Sequence, residues 1–151
     1  MLNIKKIDHV GIRVRDRNRA VTFYELLGFK VMAEGVFDEG HPIIMEHPSG
    51  VVINVLGPTN QDDGPNILMD VDQRYSGYTH MALRIDSLDE TKAFLKQHNI
   101  EITGKMAFKD LRAVFIRDPD RNVIELDEYP GEEPETRGDG TGKLDDYKEH
   151  P

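Results

Sequence analysis

The sequence predicts an α+β fold of two tandem βαβββ modules, and three observations lead to this prediction. The stretch that begins at His9 is repeated 71 positions later from His80, and the same offset places His47–Asn54 over Asp118–Glu125. In each repeat, apolar residues alternate as in strands around one segment with helical spacing. The chain has 151 residues and no cysteine, so it can bury a core without disulfides.

The first module begins with a strand over His9–Val14, whose alternate residues share a face. Asp16 is a predicted N-cap for a helix over about Arg17–Leu27. Gly28 is suited to the left-handed backbone conformation that commonly ends a helix. Apolar side chains at Val21, Tyr24 and Leu27, with Phe23 beside them, are expected to face the core. Three strands are predicted next, over about Phe29–Gly35, Pro42–Glu46 and Val51–Leu56.

The second module repeats this order from a strand that begins at His80. Ser87 and Glu90 form a capping-box pattern at the start of a helix that extends to about His98. Asn99 replaces the glycine at the helix end, because Asn also tolerates a positive φ. The last three strands are predicted over about Ile100–Ala107, Arg112–Arg117 and Asn122–Glu128.

The composition between and after the modules predicts a long linker and an acidic tail. The linker is rich in Pro, Gly, Asn and Asp, and a loop of this length often forms the wall or lid of a site. Its apolar stretch Ile67–Met69 could bury. The expected boundaries are module one at 4–57, the linker at 58–76 and module two at 77–129, together one domain over 1–130, followed by a flexible tail over 131–151.

Charge and hydropathy limit the partners. A net charge of −9 argues against nucleic acid, because phosphates need a basic surface. No apolar stretch is long enough for a signal peptide or a membrane span. We therefore expect a cytoplasmic protein that acts on a small molecule.

Two histidines and one glutamate are the candidate metal ligands. Strand parity places His9, Asn54, His80 and Glu125 at equivalent positions on the sheet faces opposite the helices. Two imidazoles and one carboxylate are a donor set that suits a borderline divalent ion. Asn54 is neutral and offers only a weak fourth ligand or a hydrogen bond.

Six short motifs accompany these residues: His9-Val-Gly-Ile-Arg-Val, Phe23-Tyr24, Leu27-Gly28-Phe29, Thr79-His80-Met-Ala-Leu, Asp118-Pro119-Asp120 and Val123-Ile124-Glu125-Leu126. Together they resemble the vicinal oxygen chelate superfamily, which includes glyoxalase I, bleomycin-resistance proteins and extradiol dioxygenases. The resemblance implies two βαβββ modules that curl into an open barrel around one divalent ion, chosen from Zn, Ni, Mn, Fe and Co, and commonly a homodimer. It also implies that the first and last strands of each module supply the ligands.

Departures from the family patterns leave three functions open. Asn54 stands where proteins like glyoxalase I have a metal-binding Glu, Phe115 stands about where dioxygenases have a Tyr, and Gly11 replaces the Thr of fosfomycin-resistance enzymes. The favoured function is a metal-dependent lyase, isomerase or addition enzyme, in which the ion is a Lewis acid on a substrate with two adjacent oxygens. The alternatives are an iron-dependent ring-cleaving dioxygenase and a metal-free protein that sequesters a small molecule.

Three further side chains are candidates for substrate chemistry. Glu46 could supply the missing base from a neighbouring strand, or be a surface charge. Arg13 and Arg84 share the face of the histidines, so they could bind an anionic substrate or reach solvent.

Overall fold

A computed structural model describes residues 1–129 and 148–149. The chain divides into two compact units. The first comprises Met1–Tyr75 together with the turn Asp118–Asn122, and the second comprises Ser76–Arg117 with the chain from Val123 onward.

Within the described residues, each unit contains one α-helix and one mixed sheet, in which a parallel pair of strands lies beside antiparallel ones. The sheet orders are β1-β4-β3-β2 and β5-β8-β7-β6-β9. The predicted α+β fold of two βαβββ modules is confirmed. The elements are β1 Val10–Arg13, α1 Arg17–Leu26, β2 Lys30–Glu34, a 3-10 turn Phe37–Glu39, β3 Ile43–Glu46, β4 Val52–Leu56, β5 His80–Ile85, α2 Leu88–Gln97, β6 Gly104–Phe108, β7 Leu111–Arg117, β8 Val123–Glu128 and β9 Lys148–Glu149.

Strand register reproduces the sequence repeat residue by residue. Asn54 in β4 lies between Gly11 and Ile44, and Glu125 in β8 lies between Ala82 and Phe115. We call these two lines of neighbouring residues the equivalent rows, because each position in one is 71 residues from its counterpart. The rows are Gly11, Asn54, Ile44 and Ala33 in the first sheet, and Ala82, Glu125, Phe115 and Gly104 in the second.

The predicted helix boundaries are confirmed by the capping contacts. The Asp16 carboxylate accepts a hydrogen bond from the Arg19 amide at 2.7 Å, which satisfies a free donor of the first turn of α1. The Ser87 hydroxyl does the same for the Glu90 amide at 3.2 Å. Gly28 and Asn99 follow the two helices with φ of 98° and 56°, so both adopt the left-handed conformation.

The core of each unit lies between its helix and the apolar face of its sheet. In the first unit Ile12, Val14 and Tyr24 are buried, whereas Gly11 and Arg13 on the other face of β1 are exposed. In the second unit Leu95 of α2 is buried with apolar residues of β7 and β8, namely Val114, Ile116, Ile124 and Leu126. In both units, the apolar strand residues that the sequence predicts to face the helix are therefore the buried ones.

Several predicted strand boundaries are wrong, and the burial considered for the apolar stretch of the linker is not observed. His9 lies before β1, and β6 begins at Gly104 rather than Ile100 because the residues after the left-handed Asn99 are not yet paired in the sheet. In the linker, Ile67 and Met69 are exposed. They lie in a turn where the Asn66 side chain accepts a hydrogen bond from the Leu68 amide, and Leu68 between them is half-buried.

Two expectations concern the chain ends and membranes. Of the tail predicted over 131–151, only β9 belongs to the described residues, where it pairs with β6; the rest lies outside them. Among the described residues, no helix is long and apolar enough to cross a membrane.

Candidate functional site

The second unit brings two of the predicted ligands together. His80 is the first residue of β5, and Glu125 lies in β8, its parallel neighbour. The His80 Nε2 atom lies 2.9 Å from the Glu125 Oε2 atom. The Glu125 side chain is only 7% exposed, whereas that of His80 is 35% exposed, so the imidazole covers the carboxylate and keeps an open side.

Neighbouring side chains fix the orientation of the His80 ring. Its Nδ1 atom is 2.8 Å from the Thr79 hydroxyl. Phe115 of β7, the strand on the other side of β8, meets the ring edge-on at 5.9 Å between centroids. Because one nitrogen is engaged by a hydroxyl, the other is directed at the carboxylate. Such a partner for the second nitrogen is typical of histidines that serve as ligands.

The first unit has no such pair at the equivalent positions. His9 is exposed, and its Nδ1 atom lies 2.8 Å from the carboxylate of Asp8. The hydrogen bond and charge of His9 lower the pKa of Asp8. Asn54 is half-buried in β4 on the same sheet face as Gly11. The first unit therefore offers one accessible imidazole and one neutral amide.

The fit of these residues to a metal ion is partial. Within the described part of the chain, no three His, Asp or Glu side chains are grouped so as to hold one. The His80 and Glu125 atoms, however, are 2.9 Å apart, close to the roughly 3.0–3.4 Å expected of two ligands that each lie about 2.1 Å from one ion. These two donors fit as half of a site, and the role of His9 stays a prediction.

The other candidates are placed as follows. Glu46 is exposed at the end of β3, on the same face as Ile44 and Asn54. Arg84 is exposed in β5 and its guanidinium lies 5.1 Å from the centre of the Tyr129 ring, a cation–π contact. Arg13 is exposed at the end of β1. Their roles in catalysis or binding stay predictions.

A buried polar cluster was not predicted from the sequence. Asp118 is 3% exposed; it accepts hydrogen bonds from the Tyr24 hydroxyl at 2.9 Å and from the Asn122 side chain at 2.8 Å. Burial raises the pKa of Asp118, and burial with the nearby carboxylate raises the pKa of Tyr24. The cluster attaches the turn Asp118–Asn122 to α1, and the Asp-Pro-Asp sequence was its only signal.

Comparison with known proteins identifies the family. The sequence profile of the Glyoxalase/Bleomycin resistance protein/Dioxygenase superfamily matches residues 6–126. The chain therefore belongs to this superfamily, as the motifs predict.

Similar proteins carry different descriptions. A lactoylglutathione lyase of Schizosaccharomyces pombe is 23% identical, and the match covers 80% of this chain but 46% of that protein, so the chain spans about half the length of this relative. YwbC of Bacillus subtilis, described as uncharacterized, is 34% identical over 59% of this chain and 69% of its own. The structure of TnmS3, an antibiotic binding protein from Streptomyces sp. CB03234, has a TM-score of 0.65 and 20% identity, covering 86% of this chain and all of that one. The last likeness concerns the fold alone.

Proposed function

We propose that this protein is a divalent-metal-dependent enzyme of the glyoxalase type, acting on a small substrate that presents two adjacent oxygens. The observation that carries the proposal is the pair of His80 Nε2 and Glu125 Oε2, 2.9 Å apart on neighbouring strands. An imidazole nitrogen and a carboxylate oxygen at this separation are donors that a divalent ion can take together. An ion beside this pair would use both its negative charge and the imidazole lone pair.

His80 and Glu125, joined by His9, would hold the ion, with Asn54 as a weak fourth ligand or a hydrogen-bond partner of the substrate. Nitrogen and carboxylate ligands without thiolates suit Zn, Ni, Mn, Fe or Co. When bound, the ion would supply Lewis-acid stabilisation of negative charge on a substrate oxygen.

The protein's own side chains would orient the site and handle protons. Thr79, at 2.8 Å from His80 Nδ1, would hold the imidazole in one orientation, and the Phe115 ring would exclude water from one side of it. Glu46, exposed on the face of β3 that also carries Ile44, is the candidate base that takes a proton from the substrate. A Glu46→Gln variant that retains metal and full activity would exclude it.

Family relationships support this choice of chemistry. The lactoylglutathione lyase relative favours lyase or isomerase chemistry on a small molecule. A homodimer and a cytoplasmic location belong to the same proposal. Arg13 and Arg84 would contact a negatively charged part of the substrate, and their replacement by Gln would raise KM more than it lowers kcat.

Metal titration tests the proposal directly. Protein freed of metal by a chelator is titrated with Zn²⁺ and Ni²⁺ by calorimetry, beside the His80→Ala variant and a His98→Ala control that removes a histidine at the end of α2. We expect about one equivalent bound by the wild type and the control. We expect His80→Ala to lose about 100-fold or more in affinity, and equal binding by all three proteins contradicts the proposed site.

A metal-free sequestering protein is the second candidate. It is favoured by the finding that no three His, Asp or Glu side chains among the described residues are grouped to hold an ion, and the superfamily description includes bleomycin resistance proteins beside enzymes. Absence of any metal binding by the wild type would support it. Oxygen uptake on catechols with added ferrous iron would instead support the ring-cleaving dioxygenase.

A further inference from the structure

The first unit contains a second candidate site, a cleft of about 800 Å³. The linker forms one wall, and the end of β1, the first turn of α1 and the turn Asp118–Asn122 form the others. Arginines are concentrated there, since Arg13, Arg15 and Arg19 all line the cleft. None of the candidate metal ligands lines it.

One of these arginines, Arg19, forms an ion pair with a largely buried carboxylate. The Arg19 guanidinium lies 2.6 Å from Asp120 Oδ1, and the Asp120 side chain is only 9% exposed. The same Asp120 oxygen accepts a hydrogen bond from the Arg15 amide at 3.0 Å. The Asn122 side chain donates to the Arg13 carbonyl at 3.1 Å. The backbone at Arg13 and Arg15 is therefore hydrogen-bonded to the turn Asp118–Asn122, which forms one wall of the cleft.

The linker supplies the partner of Arg15. The Arg15 Nε atom lies 2.8 Å from Asp63 Oδ1, and the Asp63 side chain is 69% exposed. Asp63 also reaches Arg19 at 3.4 Å, and Arg15 donates to the Gln61 carbonyl. Because an exposed ion pair contributes only about 0–1 kcal/mol, a ligand with better geometry can replace Asp63.

Arg13 has no such partner. Among the described residues, no hydrogen bond or ion pair involves its guanidinium, although Arg13 lines the same cleft as Arg15. The two arginines are two residues apart along one chain segment, so both can approach a single ligand. An arginine fork binds carboxylate or phosphate oxygens in pairs.

We propose that this cleft binds a small dianion through Arg13 and Arg15, and that Asp63 of the linker occupies part of the site until the ligand displaces it. Two guanidinium groups match two negative charges, and the exposed Asp62 and Asp63 at the cleft would move away with the linker. The shared chemistry is a doubly charged oxyanion, either a phosphate group or a dicarboxylate. Anion binding in this cleft does not depend on the metal proposal, and it replaces the substrate-binding role proposed above for Arg13.

Anion titration of the full chain tests this site. Inorganic phosphate and malonate are titrated by calorimetry into wild type, Asp63→Asn and Asp72→Asn. Asp72 is an exposed linker residue outside the cleft, so its replacement changes the net charge equally without opening the site. We expect Asp63→Asn to bind the preferred anion about five- to tenfold more tightly than wild type, and Asp72→Asn to change affinity by less than about twofold.

A double variant makes the result specific. Adding Arg13→Gln to Asp63→Asn should abolish the gain in affinity, because one of the two guanidinium groups that bind the anion is removed. If phosphate binds more tightly than malonate, the ligand class is a phosphate group; if malonate binds more tightly, the class is a dicarboxylate. Equal gains for Asp63→Asn and Asp72→Asn, retention of the gain without Arg13, or no binding of either anion to Asp63→Asn would overturn the proposal.

Discussion

The two units share one backbone pattern but differ in the chemistry of the equivalent rows. Asn54 and Glu125 occupy the same register position, between Gly11 and Ile44 in one sheet and between Ala82 and Phe115 in the other. In the second unit Glu125 contacts His80, whereas in the first unit the histidine contacts Asp8 instead of the residue in the row. Register is set by sheet pairing and core burial, so the side chains on the other face were free to diverge without loss of the fold.

The histidines show the same divergence. His80 begins β5 and pairs with Val123 in the sheet, whereas His9 lies before β1 and interacts with Asp8. The strand therefore holds His80 in place, while His9 depends on its neighbours in the chain. This difference predicts that the second unit supplies most of the metal affinity.

The largest stability effect should come from the core of the second unit. Leu95 is 1% exposed in α2 and stands 71 residues after Tyr24. Leu95→Ala should lower the free energy of unfolding by about 2–5 kcal/mol, because it leaves a cavity. Urea denaturation measures this. Leu26→Ala, at a more exposed position of α1, is the control and should cost less than about 1 kcal/mol; equal losses would contradict the assigned core.

The counterpart position in the first unit has a polar role in addition to packing. Tyr24→Phe removes the hydroxyl that donates to Asp118 and should cost about 1–3 kcal/mol. Tyr75→Phe changes an exposed tyrosine and should be nearly neutral. Urea denaturation at neutral pH compares the two variants, and equal stability of both would show that the buried hydrogen bond contributes nothing.

The same variant has a predictable pH dependence. Burial raises the pKa of Asp118 above its ordinary value of 3.8. The stability that this group contributes is complete below 3.8 and is lost as pH rises through the raised value. The Tyr24 hydroxyl stabilises the ionised carboxylate, so Tyr24→Phe should destabilise more at pH 7 than near pH 3, as denaturation at both pH values would show. Equal destabilisation at the two pH values would contradict this.

Transferring the carboxylate between the equivalent rows should change metal binding. Asn54→Glu gives the first unit the residue that the second has at Glu125, and should raise Zn²⁺ affinity about tenfold by adding a charged ligand. Asn54→Gln is the matched control, because it has the same length without the charge. If calorimetry finds the same affinity for both variants, Asn54 does not face the proposed site.

The smallest effect concerns the two helix ends. Gly28 has a φ of 98°, and an added Cβ would approach the His47 ring at 3.0 Å. Gly28→Ala should therefore cost about 1–2 kcal/mol. Asn99→Gly, at a φ of 56°, should change stability by less than about 0.5 kcal/mol. Thermal denaturation compares them, and a harmless Gly28→Ala would contradict the close contact.

The sequence was sufficient for what the repeat encodes and insufficient for long-range polar contacts. Asp16, Ser87, Gly28 and Asn99 could be predicted because caps and stops depend on a few adjacent residues. The Tyr24–Asp118 hydrogen bond joins residues far apart in the chain, and no local sequence pattern predicts it. The exposed Ile67 and Met69 show the opposite limit, because apolar composition alone does not decide burial.

Anomalous diffraction from crystals grown with Zn²⁺ tests the assigned ligands most directly. We predict one strong peak at about 2.0–2.2 Å from His80 Nε2 and from a Glu125 carboxylate oxygen, with the His9 imidazole completing the set. Crystals in which Zn²⁺ is present in the solution but no peak lies beside His80 and Glu125 would contradict the proposed metal site.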